Sequence, residues 1–175
     1  LLGSAYLAEN PPVDLANIVA GFNFDRVLPT GKTKDMAVIG YGASELEDYL
    51  EEELEKQGRY INPDPNPEKG YFYRSYHISF AKKGVPVLYS DDGFDLEDGG
   101  IEKGFNEIYD YTNFRYHGVN DEYDPSWNLE GFEQTINTIF NISLDLSNSS
   151  DWPNWYEGNE FRATRDAQLS SKNAP

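Results

Sequence analysis

The chain has 175 residues with 38% hydrophobic content, enough for one domain with a real core. Its 14 Lys and Arg against 31 Asp and Glu leave a formal charge of −17, which disfavours nucleic acid and anionic membrane surfaces as partners and favours cations. Zero cysteines exclude disulfides and thiolate metal sites, leaving His, carboxylate and carbonyl groups as the only available ligands.

In chain order, Ser4 to Asn10 read as the end of a short helix stopped by Pro11 and Pro12. "IVAGFNFDRV", residues 18–27, alternates apolar with small or polar residues and reads as a strand with Asp25 near its C-terminal end. "DMAVIGYG", 35–42, reads as a second strand. Ser44 is the expected cap of the helix "SELEDYLEEELEKQG", which has acids in its first turn and Gly58 at its end. "INPDPNPEKG", 61–70, alternates three prolines and is expected to be extended loop.

A short helix over 75–84, closed by Gly84, leads into a buried strand, "VPVLYS" at 85–90. "DDGFDLEDGGIEKG" is expected to be loop with solvated acids, because it misses the D-x-[DN]-x-[DN]-G spacing of a calcium loop. "NLEGFEQTINTIFNISLDLSNS", residues 128–149, places Leu129, Phe132, Ile136, Ile139, Phe140 and Leu144 at helical spacings, predicting a helix with that face on the sheet. The tail, 151–175, carries two of the three tryptophans and is expected to fold back on the body before fraying near Pro175. The order predicts an α/β layered domain.

The chain contains two histidines, His77 and His117. His117 sits in "NFRYHGVNDEYDPSW", where Asp121 and Asp124 offer carboxylates to orient an imidazole, but a lone loop histidine is more often structural or exposed. His77 lies where a proline-rich loop enters a helix, a place that gives access to a cleft or merely a backbone contact. Asp25 at a strand's C-terminal end suits either a ligand edge or a turn cap. G-x-S-x-G, H-E-x-x-H, Walker and G-x-G-x-x-G motifs are absent, and two-carboxylate glycosidase chemistry stays open.

Taken together, "LLGSAYLAENP", "NFD", "GYGASELEDYL", "PDPNPEKGYFYRSYHISFAKKGVPVLY", "YHGVNDEYDPSWNLEG" and "WPNWYEGNEFRATRD" resemble the C-terminal half of M28-family zinc aminopeptidases, most strongly secreted bacterial members with a protease-associated insertion. The resemblance runs in order over nearly the whole chain. It implies a mixed sheet flanked by helices, with residues 1–175 as the C-terminal portion of one catalytic domain and 151–175 as a tail packed on it. It also implies an aminopeptidase acting on peptides with two zinc ions, secreted or periplasmic, without nucleic-acid or membrane partners.

By the same likeness Asp25 ligates one zinc and His117 the other, Asp121 shapes the loop behind the metal, and His77 stabilises the oxyanion. Relatives usually read "RSDH" where this chain reads "RSYH", so Tyr76 replaces an acid that could hold the histidine. "LLGS" in the family follows the "EE" that supplies the general base and a zinc ligand. The chain alone is therefore expected to hold zinc weakly or not at all and to be inactive, and to associate with the missing N-terminal segment or with itself. The competing expectations are a degenerate homologue, or a non-catalytic module binding peptide or carbohydrate on Tyr116, Tyr123, Trp127 and Trp155.

Overall fold

A computed structural model describes residues 1–26 and 28–172; the expected strand's last residue, Val27, and the expected fraying near Pro175 lie outside the described residues. Four strands form one mixed sheet in the order β1-β4-β2-β3. β1 (Gly21–Asn23) runs parallel to β4 (Val87–Asp92), β4 antiparallel to β2 (Asp35–Val38), and β2 parallel to β3 (Tyr60–Pro63). β3 corrects the expectation of plain loop over 61–70. Its Pro63 closes an edge strand opposite Val38, where a missing N–H costs no ladder bond.

Side chains alternate across the sheet and divide the core in two. On one face Met36, Val38 and Leu88 pack against Leu46, Leu50 and Leu54 of α2 (Leu46–Lys56) and Ile139, Ile142 and Leu146 of α5 (Glu130–Asn148). On the other, Ile39, Val87 and Tyr89 meet Phe72, Ile78 and Ala81 of the segment leading through α3 (Ile78–Ala81), together with Trp155 and Phe161. α1 (Leu2–Glu9) lies against α3, and α6 (Arg162–Lys172) against a 3-10 turn at Leu15–Asn17.

Three expectations change. The N-terminus of α2 is held by Glu47, whose carboxylate accepts from the backbone of Gly42, Ala43 and Ser44, whereas the Ser44 hydroxyl turns to the Val87 carbonyl at 3.4 Å. The supposed solvated loop begins on β4, with Asp91 and Asp92 buried, and then gives way to a fourth helix, α4 (Gly100–Phe114). α5 buries Thr135, Thr138, Ile139, Ile142 and Leu146 and leaves Leu129, Ile136, Phe140 and Leu144 exposed. The reason is polar: Thr138 Oγ1 meets Arg59 and Gln57, and Thr135 Oγ1 donates to Asp92 Oδ1 at 3.2 Å, so hydrogen bonds turn the threonine face inward.

Candidate functional site

β4 carries Tyr89 and Asp91 on the same face as Ala37 of β2 and Ile39, which follows β2, and these four residues line a cavity of about 570 Å³. α4 supplies a wall through Phe105, Ile108, Tyr111 and Thr112. The helix can come this close because Gly104 has no side chain: a Cβ there would run into the backbone carbonyl of Phe94. Phe105 then stacks on Phe94, ring centroids 5.1 Å apart.

Loops from four places complete the rim. Asp25 and Arg26 follow β1, Asp64 follows β3, Ser75 and Tyr76 precede α3, and Tyr116, His117 and Asp121 follow α4. Asp25 and His117, far apart in sequence, thus face one cavity. His117 is exposed, its ring stacks on Tyr116 with centroids 3.9 Å apart, and its φ of 56° makes it a left-handed residue that is not glycine. Such a conformation costs on the order of 1–3 kcal/mol and persists where the surroundings enforce it.

Asp121 lines the same cavity and accepts from Tyr111 Oη at 3.4 Å; Asp124 takes the backbone and hydroxyl of Ser126. Neither carboxylate has the imidazole as its partner. His77 is placed differently. It is 4% exposed behind the lining, between the rings of Phe72 and Tyr89, each 4.8 Å away. Burial lowers its pKa to about 4, opposed by the Phe72 backbone, and its Nε2 makes no well-formed hydrogen bond. Tyr76, its neighbour in the chain, lines the cavity instead.

Composition and spacing did not single out the charges on the cavity floor. Arg26 donates to Asp91 Oδ2 at 2.9 Å, while Asp91 Oδ1 has no partner. Burial raises the pKa of Asp91 to about 6, with Asp25 and Asp64 adding to the rise and Arg26 opposing it. The signal was available: Val87, Tyr89 and Asp91 follow the two-residue period of one strand face.

The family model for peptidase family M28 matches residues 1–142, most of the chain and the whole of this cavity. The chain belongs to peptidase family M28. No curated protein and no solved structure gives a significant match. For an M28 peptidase the donor chemistry at hand suits zinc, since carboxylate oxygen and imidazole nitrogen are zinc donors. The number falls short: among the described residues no group of three or more His, Asp or Glu side chains could hold a metal ion. The M28 chain also buries Trp155, which removes it from the expected aromatic platform, while Tyr116 and Tyr123 remain exposed. No described helix is long and apolar enough to cross a membrane.

Proposed function

We propose that this M28 chain is part of a zinc-dependent aminopeptidase that removes N-terminal residues from peptides. One observation carries the reading: Asp25 and His117, a carboxylate and an imidazole, open into a single cavity large enough for a peptide end. Asp25 serves one ion and His117 the other, and Asp121 steadies the loop that presents His117. Such a metal pair supplies Lewis acidity and a nucleophile generated from water.

The remaining donors and the general base come from residues outside these 175, and the 175 residues form the C-terminal portion of one catalytic domain. Alone they hold zinc weakly and do not turn over substrate. Two features support a covering partner, either the missing N-terminal segment or a second copy: β1 ends the sheet with an open edge, and Ile136 and Phe140 on α5 are 54% and 59% exposed. Secretion or periplasmic location belongs to the same reading.

The test is release of the N-terminal residue from short unblocked peptides by the complete enzyme. Activity that disappears on chelation and returns with zinc supports the proposal. A complete, folded enzyme that binds zinc and cleaves no such peptide contradicts it.

A further inference from the structure

Asp25 stands exposed at the cavity rim, yet its carboxylate is tied to the interior. Ser75 Oγ donates to Asp25 Oδ2 at 3.3 Å, and Ser75 is itself buried. Asn23 Nδ2 donates to the same Oγ at 2.9 Å. A serine hydroxyl has a single hydrogen, so an oxygen that accepts from Asn23 keeps that hydrogen for the carboxylate.

The Asn23 amide nitrogen also approaches His77 Nδ1, at 3.4 Å. An amide nitrogen only donates, so Nδ1 is the acceptor and the neutral ring carries its proton on Nε2. His77 holds this place between Phe72 and Tyr89, one layer behind the cavity lining. It is 4% exposed there and is not among the residues that line the cavity. What it can do is fix the direction of Asn23, and through Asn23 that of the Ser75 hydroxyl.

We propose that His77, Asn23 and Ser75 form a positioning chain that sets the carboxylate of Asp25 for metal binding, with His77 acting through Asn23 and not on substrate. The inference rests on the proposed metallopeptidase reading, in which Asp25 is the ligand. It gives the "RSYH" departure a physical sense: no acid stands beside the imidazole to charge it, and a neutral acceptor is what Asn23 requires. Groups that hold a metal ligand in place typically change metal affinity 10–100-fold when removed.

The experiment measures zinc affinity by chelator competition, and kcat at saturating zinc, for the complete enzyme and its Ser75→Ala, His77→Ala and His77→Gln variants. Ser75→Ala and His77→Ala weaken zinc about 10–100-fold, with kcat at saturating zinc within about threefold of the parent. His77→Gln, whose amide oxygen also accepts from Asn23, recovers most of the affinity. A kcat lowered about 100-fold with zinc affinity unchanged overturns the proposal and makes His77 a group that acts on the reaction.

Asp25→Ala separates the two levels. If it leaves zinc affinity unchanged, Asp25 is no ligand and the metal assignment falls, taking the positioning chain with it. If it weakens zinc while Ser75→Ala and His77→Ala do not, the positioning chain alone is wrong. A nitrogen NMR spectrum of His77 near pH 6 gives a reading free of metal: the neutral Nε2–H tautomer is expected, and an Nδ1–H tautomer overturns the chain.

Discussion

Arg26 donates to one oxygen of Asp91 at 2.9 Å and leaves the other without a partner, so β4 carries, one residue from its end, a carboxylate half satisfied and almost wholly buried. Its neighbour Asp92 accepts from the Leu28 backbone and from Thr135. Burial lifts the pKa of Asp91 to about 6 and of Asp92 to about 7, from a reference of 3.8. A carboxyl whose pKa rises on folding stabilises the fold below the unfolded value, and this is lost as pH rises through the folded one. His77, lowered to about 4 from 6.5, works the other way, because the unfolded chain takes up its proton first as pH falls. Two carboxyls outweigh one imidazole, so the Tm should fall from about pH 4.5 to 7.5. Asp92→Asn should gain on the parent by at least about 1 kcal/mol over that range, read from urea midpoints at each pH. A parent and variant with parallel pH profiles would contradict this.

Trp155 is completely buried, and its indole nitrogen donates to the Gly84 carbonyl at 3.0 Å. Arg165 donates to the carbonyls of Ile18 and Val19, just ahead of β1. Trp155 and Arg165 lie beyond the family match, which ends at residue 142, and yet Arg165 helps seat the strand that delivers Asp25. Trp155→Ala should cost about 3–5 kcal/mol, whereas Trp155→Phe should cost closer to the hydrogen bond, about 1 kcal/mol plus a small cavity penalty. Equal denaturation midpoints for the two variants would remove the tail from the core.

Gly104→Ala places a methyl group against the Phe94 carbonyl. The backbone on both sides must give, at a cost of about 1–3 kcal/mol. Because α4 carries Phe105, Ile108 and Tyr111 into the cavity, the variant should change the cavity more than the rest of the fold. Hydrogen exchange should speed up over Gly100–Phe114 and stay unchanged in β2. Uniform acceleration throughout would show that the helix has no such local dependence.

α2 could be read directly because its acids, leucines and Gly58 all agree with a helix. α4 could not: Gly99, Gly100 and Gly104 argue against a helix by propensity, and the reason for Gly104 is a contact with Phe94 that only the fold creates. The face of α5 was misread because apolar spacing pointed to Ile136 and Phe140, while the buried partners Arg59 and Asp92 select Thr138 and Thr135. Family resemblance gave Asp25 and His117 their candidate roles, and the fold shows that they share a cavity. It gave His77 a candidate role as well, and the ring's burial between Phe72 and Tyr89 is a packing that the local string does not encode.

His117 keeps a left-handed backbone that glycine adopts freely. His117→Gly should therefore be at least as stable as the parent, by up to about 1 kcal/mol, and His117→Ala should not share the gain. Both lose the imidazole. Thermal midpoints for the two variants decide the point: a glycine variant less stable than the alanine one would show that the backbone carries no strain.

Zinc content tests the account most directly. The complete enzyme, its Asp25→Ala and its His117→Ala forms should be dialysed at matched free zinc and the bound metal measured by mass spectrometry. The account predicts that the parent keeps two ions per chain and that each variant loses most of one, with affinity down about 100-fold or more. Full zinc retention in both variants, with fold intact, would contradict it and remove Asp25 and His117 from the metal site.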